Sequence, residues 1–258
     1  MCIRDRYLEM RLKHKIVITG GNGRFGSLLK NLYKSNKLFY PNKKELNILS
    51  TRSIKNYLKK TKPKILIHLA GLSRPMNIHD NNISKSIDLN IIGTANIVKI
   101  CSVFKIKVIY FSTNYVYPGK KGNYKENSPL LPINNYAWSK LGGEASIHLY
   151  KNSLILRICM TEKPFVHNKA FNDLKTNFIF QEDVAKILFK VLDLRGVLNI
   201  GGEPLSPYMF AKKNNQNVRS VSRKNDKLFK SFSNITMNVK KFKETLKKSS
   251  SNPILNPR

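Results

Sequence analysis

Short apolar runs separated by amphipathic segments recur along most of this chain. Each run places apolar residues at consecutive positions, as strands covered on both faces do. The runs predict strands at residues 15–19, 64–69, 107–111 and 154–158, with two further strands near 38–40 and 197–200.

Helical periodicity fills the intervals between these runs. Within residues 83–104, Ile87, Ile91, Ala95 and Val98 recur at spacings of three and four, which predicts one long helix with a single buried face. Ser50 or Thr51 is expected to cap a helix that ends before Pro63, and Ser206-Pro207 to open another. Other helices are predicted at 24–35, 134–150, 182–194 and 238–247.

Strands and helices therefore alternate, which predicts an α/β fold built on a doubly wound parallel sheet. The length of 258 residues fits one such domain with a modest appendage, and 41% hydrophobic residues can supply its core.

The chain is strongly cationic, with a formal net charge of +32. Such a field attracts anionic ligands and favours nonspecific binding to nucleic acid or anionic membranes. The cations are mostly lysines spread along the chain rather than clustered with aromatic residues, so a compositional bias is favoured over a nucleic-acid face and no specific nucleic-acid partner is expected.

Cysteine spacing and hydropathy point to a cytoplasmic protein. Cys2, Cys101 and Cys159 have no spacing typical of disulfide or metal pairs, so unpaired thiols in a reducing compartment and no metal site are expected. No apolar run comes near the roughly 20 residues of a membrane span, so no membrane association is expected. Residues 1–9 fit neither a strand nor a targeting segment and resemble a translated remnant, which makes Met10 the expected start.

A glycine-rich turn follows the first predicted strand in the stretch Thr19-Gly20-Gly21-Asn22-Gly23-Arg24-Phe25-Gly26. Gly20, Gly23 and Gly26 lack the side chains that would keep a pyrophosphate away from the backbone, and the next helix begins here. Free N–H groups and the helix dipole favour negative charge at such a helix start. The turn predicts a dinucleotide site, although an ordinary glycine turn gives the same pattern.

Tyr136 and Lys140 are four residues apart in a predicted helix and therefore share one face. A nearby ammonium stabilises a phenolate and lowers a tyrosine pKa that is ordinarily about 10, which suits a proton donor. An ordinary amphipathic helix is the alternative interpretation. Thr113, at the end of a predicted buried strand, favours the catalytic one.

These motifs, in this order, resemble the extended short-chain dehydrogenase/reductase family of epimerases and dehydratases, and within it the dTDP-4-dehydrorhamnose reductases. The resemblance covers residues 15–211 and also includes Asn90 with Gly93-Thr94, Gly143-Glu144 and Asp183-Val184-Ala185. It implies a Rossmann-type fold and an NAD(P)-dependent oxidoreductase of dTDP-rhamnose biosynthesis.

The resemblance also assigns roles to individual residues. Tyr136 would be the general acid, Lys140 would tune it and hold the nicotinamide ribose, and Thr113 would hydrogen-bond the reacting oxygen. The residues expected to contact the cofactor are Gly20, Gly23, Arg24, Phe25, Gly26, Lys43, Asn47, Leu69, Ala70, Gly71 and Lys140.

The end of the second strand distinguishes the two cofactors in this family. An acidic residue there binds the ribose of NAD, whereas a cation accommodates the phosphate of NADP. Here Asn42, Lys43 and Lys44 follow Tyr40 with no carboxylate before Glu45. The sequence therefore favours NADP(H) over NAD(H).

Arg74, Asn114 and Tyr115 are the candidate substrate residues. Arg74 suits an anionic group, although a solvated loop explains it equally well. Asn114 stands where family reductases usually carry Asp, and the loss of an adjacent acid pair argues against a 4,6-dehydratase. Residues 161–177 are shorter than the usual substrate-binding insertion, so the substrate-binding region is expected to be reduced.

The predicted organisation places an extension at 1–14, a Rossmann NAD(P)-binding domain at 15–158, a reduced substrate-binding region at 159–248 and a tail at 249–258. The predicted reaction is reduction of a nucleotide-linked 4-keto-6-deoxy sugar. The alternatives are a nucleotide-sugar epimerase with retained NAD(P) and a noncatalytic dinucleotide-binding subunit. The two helices at 83–104 and 134–150 suit a homodimer.

Overall fold

The computed structural model describes residues 12–226 and 229–250. The predicted remnant at 1–9 and the part of the predicted tail beyond Ser250 lie outside these residues, as does Cys2. In chain order the strands are β1 (Ile16–Thr19), β2 (Leu38–Phe39), β3 (Ile65–His68), β4 (Lys107–Thr113), β5 (Ser153–Ile158), β6 (Met160–Thr161), β7 (Lys169–Phe171), β8 (Ile179–Phe180), β9 (Gly196–Ile200) and β10 (Arg219–Val221).

All six predicted strands form the central sheet, in the order β2-β1-β3-β4-β5-β9. Strand β1 pairs in parallel with β2 and β3, and β3 pairs in parallel with β4. The predicted doubly wound α/β fold is thus confirmed. Because successive strands leave β1 on opposite sides, the boundary between β1 and β3 is the topological switch point, where open α/β sheets bind ligands at their carboxyl ends.

Helices flank this sheet as the alternation predicts. They are α1 (Arg24–Leu32), α2 (Thr51–Thr61), α3 (Ile78–Asn81), α4 (Ile83–Ser86), α5 (Gly93–Val103), α6 (Asn135–His148), α7 (Gln181–Leu188), α8 (Pro207–Lys212) and α9 (Lys240–Ser250). Two predicted caps are confirmed, since the Ser50 side chain accepts the N–H of Ser53 and the Ser206 side chain accepts that of Met209.

The predicted single helix over 83–104 is interrupted. Residues Ile87–Ile92 form a π-helical turn between α4 and α5. A Cβ atom on Gly93 would lie 2.6 Å from the Ile48 side chain, so the glycine lets α5 approach that residue closely. A π-helical turn shifts the buried face by one residue, so Ile87, which the apolar spacing places on the buried face, is 41% exposed, whereas Val98 beyond the turn is buried.

Several other boundaries differ from the predictions. Three helices end earlier than expected, at Leu32, His148 and Leu188, and β4 continues two residues further to include Thr113. The region after β5 contains two parallel strand pairs that the sequence did not predict, β6 with β8 and β7 with β10. These strands are two or three residues long, which is too short for periodicity to reveal.

The chain divides into two compact units. The first comprises Met1–Phe111 and Ser139–Ile155, and the second Ser112–Trp138 and Leu156–Arg258. In the first unit, β1 and β3 are buried along their whole length. The second unit has two apolar clusters, one around Phe165, Ala170, Ala211 and Val218, and one around Leu174, Phe232 and Ile235.

Within the described part of the chain, Ile83–Val103 is long and apolar enough to cross a membrane when judged by length and composition alone. The expectation that no segment reaches this length is therefore wrong. Only 39% of its most apolar window is buried. The core helix of a globular protein passes the same test, and Thr94 in this segment is buried and contacts His68 of the central sheet.

Candidate active site

The glycine turn after β1 adopts the compact conformation that the motif predicts. Gly20 has a φ of +73°, and a Cβ atom there would lie 2.6 Å from the Ala70 nitrogen. A Cβ atom on Gly26 would lie 2.3 Å from the Gly20 oxygen. The turn therefore packs against the end of β3, and it requires glycine at both positions.

Helix α1 begins directly after this turn with an open N-terminus. Its N-cap residue is Gly23, no side chain caps it, and its first turn contains no acidic residue. Arg24 is exposed, whereas Phe25 and Gly26 are buried. The Phe25 ring packs at a tilt against the Phe111 ring in the core, with the ring centres 5.3 Å apart, so this residue can reach a phosphate only through its backbone N–H.

A chain of buried hydrogen bonds joins the ends of β1 and β3. The Thr94 hydroxyl donates to the Asn90 carbonyl at 2.8 Å, so at 3.1 Å it must accept from His68 Nε2. His68 Nδ1 then accepts from the Thr19 hydroxyl at 2.8 Å, and Thr19 accepts the Ala70 N–H at 3.3 Å. This pattern assigns one neutral tautomer to His68, and burial lowers its pKa to about 3.

Asn90 ties the next part of the loop to α6. Its side-chain oxygen accepts the N–H of Leu72 at 2.7 Å, and its side-chain nitrogen donates to the Leu72 carbonyl and to Ser139 Oγ. Leu69 and Ala70 are partly exposed and Gly71 is exposed beside this anchored segment. The predicted cofactor residues after β1 and β3 are thus brought together at the switch point of the sheet.

The loop after β2 closes on itself. The Asn42 side chain accepts the backbone N–H groups of Lys44 and Glu45, and the Glu45 carboxylate accepts the Asn42 N–H at 2.8 Å. Lys43 is exposed at the tip. Asn47, one of the residues expected to contact the cofactor, accepts the Leu49 N–H through its side-chain oxygen and is thereby held in a turn.

The residues present fit a dinucleotide. The compact turn from Gly20 to Gly26, called the glycine cradle below, has no room for a Cβ atom at either end because backbone atoms pack against both glycines. It leads directly into the uncapped start of α1, whose free N–H groups favour a phosphate. The partly exposed Leu69 and Ala70 flank that cradle.

Tyr136 and Lys140 lie one turn apart on α6, as predicted. Both side chains are half-buried. Lys140 Nζ stands 4.1 Å from the centre of the Tyr110 ring. Burial lowers the pKa of Lys140 to about 7, and the negative charge of Glu144 opposes this shift. The amine therefore changes charge near neutral pH.

In the second unit, Thr113 ends β4 with its side-chain oxygen accepting the N–H of Tyr115 at 3.2 Å. The hydroxyl proton can then be donated elsewhere. The Tyr115 ring meets the Tyr136 ring edge-on at 6.5 Å. The structure therefore places Tyr115 beside the predicted general acid.

Asn114, one of the candidate substrate residues, is enclosed by other parts of the second unit. It is buried, and its side-chain nitrogen donates to Thr176 Oγ1 and to the Ile235 carbonyl, both at 3.3 Å. These bonds tie the end of β4 to neighbouring loops of the second unit, which is a structural function.

The remaining candidates have simpler surroundings. Arg74 is exposed in the loop after β3. Cys159 is buried with its sulfur 3.0 Å from Thr176 Oγ1, and burial raises the pKa of its thiol to about 12. Trp138, which lies between Tyr136 and Lys140 in the sequence, is 52% exposed.

Sequence reasoning gave no role to His68, Asn90, Thr94 or Glu144, although their motifs were visible. The signal for Glu144 is its position four residues after Lys140, which places it on the adjacent turn.

Comparison with known families gives a match over most of the chain. A model described as the RmlD substrate binding domain matches residues 14–171. The sequence-based resemblance to sugar-nucleotide reductases of the extended short-chain dehydrogenase type is thereby confirmed.

The chain aligns with only part of each of the following curated relatives. Methionine adenosyltransferase 2 subunit beta of Xenopus tropicalis is 29% identical over 154 residues, covering 56% of this chain and 46% of the relative. The dTDP-D-glucose 4,6-dehydratase of Dictyostelium discoideum is 31% identical over 185 residues, covering 57% and 42%. The chain thus spans less than half the length of these relatives.

Solved structures resemble the chain over almost all of its length. The dTDP-4-dehydrorhamnose reductase of Bacillus anthracis str. Ames in complex with NADP has a TM-score of 0.76 at 21% identity, covering 90% of this chain and 92% of that one. The enzyme WbmG of Bordetella bronchiseptica in complex with NAD and UDP has a TM-score of 0.70 at 17% identity, covering 90% and 88%. At these identities the likeness establishes the fold.

Proposed function

Because the chain belongs to the RmlD substrate-binding domain family, we propose that it reduces a 4-keto-6-deoxy sugar carried on a nucleotide, at the expense of a reduced nicotinamide dinucleotide. The observation that carries this proposal is the pair of Tyr136 and Lys140 one turn apart on α6. The glycine cradle with the open start of α1 supports the dinucleotide part.

In this proposal Tyr136 donates a proton to the sugar carbonyl oxygen as that oxygen gains negative charge. Lys140 in its ammonium form lowers the pKa of the phenol and eases the transfer. Thr113 donates its hydroxyl proton as a hydrogen bond to the same oxygen, so the developing charge meets two fixed donors. The dinucleotide, when bound, supplies the hydride.

The cofactor preference that we propose is NADP(H). The Glu45 carboxylate is engaged with the Asn42 N–H, and Lys43 is an exposed cation in the same loop. A cation there attracts a ribose phosphate. The dissociation constant of NADPH should be lower than that of NADH. Lys43→Ala should raise the NADPH value and so reduce the ratio between the two. Exposed Lys85→Ala is the matched control and should leave it unchanged.

Incubation with NADPH and a panel of nucleotide-linked keto-sugars tests the proposed activity, with the absorbance of the reduced cofactor as readout. At least one substrate should consume NADPH. Tyr136→Phe should lower kcat by about 100-fold or more, the usual contribution of general acid catalysis, and should leave NADPH binding intact. Tyr150→Phe is the control. Full activity in Tyr136→Phe would refute the assignment of the general acid.

Assays on the same purified protein distinguish two other functions from the proposed reduction. An epimerase would interconvert sugar nucleotides without net consumption of NADPH. The matches to a protein named as a subunit of methionine adenosyltransferase favour a noncatalytic subunit as the second candidate. In that case the protein would bind NADPH, would turn over no sugar nucleotide, and would co-elute in gel filtration with a purified methionine adenosyltransferase catalytic chain.

A further inference from the structure

Glu144 is a fully buried carboxylate on α6, and the proposed proton transfer does not use it directly. An ionised carboxylate is costly to bury unless charged or hydrogen-bonding groups compensate it. The helix is closely packed at this point, because a Cβ atom on the preceding Gly143 would lie 2.4 Å from the Asn90 carbonyl oxygen and 2.7 Å from the Tyr110 hydroxyl.

Four titratable side chains follow one another at intervals of one turn on α6. They are Tyr136, Lys140, Glu144 and His148. Residues four apart on a helix are neighbours. His148 Nε2 is 3.4 Å from the Glu144 carboxylate, and the His148 side chain is 51% exposed. The row thus leads from the proposed proton donor to solvent.

The groups around Lys140 show which of them sets its charge. Tyr110 on β4 offers the face of its ring. The charge of Lys140 is felt by His68 on β3 and His79 on α3, and burial lowers the pKa of both histidines, so neither adds positive charge at neutral pH. Among the described residues, Glu144 is the group whose charge favours the ammonium form of Lys140.

We propose that Glu144 is a positioning residue that keeps Lys140 positively charged, and that this charge is what makes Tyr136 an effective acid. The second part rests on the proposed function, whereas the first concerns this chain alone. Removing the carboxylate would take away the negative charge that raises the pKa of Lys140, so a smaller fraction of Lys140 would carry its ammonium charge at physiological pH. A neutral amine does not acidify the phenol.

The direct test is a pH titration of the full chain labelled with 13C at the lysine ε-carbons and followed by NMR. The Lys140 signal is identified by its absence in Lys140→Met. We expect a midpoint near pH 7 in the wild type. Glu144→Gln should lower it by about one pH unit or more, as loss of an adjacent opposite charge does. Glu126→Gln removes a different partly buried carboxylate and should leave the midpoint unchanged.

A surface variant covers the case in which Glu144→Gln does not fold. His148→Lys puts a permanent cation beside the Glu144 carboxylate and should lower the Lys140 midpoint. Leu149→Lys adds the same charge at the neighbouring position, where the side chain is 87% exposed, and is the matched control. An unchanged midpoint in a folded Glu144→Gln, or equal shifts in the two lysine variants, would overturn the proposal.

Enzyme kinetics then separate the two parts of the inference. In Glu144→Gln the alkaline limb of the kcat profile should move to lower pH together with the NMR midpoint. If no substrate is turned over, the NMR titration still decides whether Glu144 sets the charge of Lys140. A shifted midpoint with an unmoved kcat profile would overturn the link to Tyr136.

Discussion

The two units are held by buried polar networks of opposite character. In the first unit the network consists of neutral groups, with Thr19, His68, Thr94 and Asn90 in one chain of hydrogen bonds. In the second unit the network centres on a charged guanidinium. Arg157 is 2% exposed and donates to the Tyr117 hydroxyl at 2.8 Å and to the Glu126 carbonyl at 3.0 Å.

The second network continues through Asn199. Its side-chain oxygen accepts from Tyr117 at 2.8 Å, and its backbone N–H donates to the Glu126 carboxylate at 3.1 Å. The difference teaches where each unit is vulnerable. A neutral network is sensitive to protonation of its single histidine, whereas a network around a buried cation depends on that cation being present.

At neutral pH the largest effect is expected from Arg157→Met in the second unit. Two buried acceptors, the Tyr117 hydroxyl and the Glu126 carbonyl, would lose their donor. At about 1–3 kcal/mol for each unsatisfied group, the free energy of unfolding should fall by about 3 kcal/mol. Urea unfolding measures this, with exposed Arg195→Met as control. If the free energy of unfolding fell no more than in the control, the second network would not depend on its buried cation.

The next largest effect concerns the glycine cradle of the first unit. Gly26→Ala would place a methyl group 2.3 Å from the Gly20 oxygen, whereas Gly23→Ala meets that oxygen at 3.2 Å. Local strain of about 1–3 kcal/mol in the Gly26 variant should weaken NADPH binding about 5- to 150-fold. Fluorescence titration checks this, and the Gly23 variant should lose less. Equal losses of NADPH affinity in the two variants would mean that the close approach of Gly26 to the Gly20 oxygen does not determine binding.

The neutral network of the first unit should also make the free energy of unfolding depend on pH, through His68. The pKa of His68 is lowered to about 3 in the folded state, so between its ordinary value near 6.5 and pH 3 the unfolded chain binds the extra proton. His68 therefore contributes stability above pH 6.5 that is lost as the pH falls, by up to about 1.4 kcal/mol per pH unit. Between pH 4 and 7 the free energy of unfolding should change less with pH in His68→Gln than in the wild type. An equal slope in the variant would contradict the neutral network.

The smallest effect is expected in the aromatic cluster of the second unit. The Phe229 ring lies 6.0 Å from Tyr115, 5.2 Å from Phe171 and 5.1 Å from Phe232. Phe229→Leu should lower the free energy of unfolding by about 0.5–1.5 kcal/mol, the usual value of aromatic pairs. Exposed Met209→Leu is the control in thermal unfolding. A larger loss than in Arg157→Met would reverse the order proposed for this unit.

The sequence predicted the first unit better than the second for a physical reason. Strands such as β1 and β3 are continuous apolar runs, and α1 and α2 begin at recognisable turn and cap residues. Strands β6 and β8 have two residues each, and their pairing depends on contacts distant in sequence. No local pattern encodes such contacts.

The candidate site divides in the same way. Gly20, Gly26, Tyr136 and Lys140 were identified because short motifs fix their spacing. Neither the buried side chain of Asn114 nor the exposed one of Trp138 was foreseen. Burial depends on which loops cover a residue, and the spacing of a motif carries no information on that.

The fixed tautomer of His68 makes this residue an internal reporter. The chain has five histidines, and this imidazole has both ring nitrogens within hydrogen-bonding distance of threonine hydroxyls. Its 15N resonances should stay constant from pH 4 upward, because burial keeps this imidazole neutral in that range. Any variant can thus be checked for an intact first unit before its chemistry is assayed.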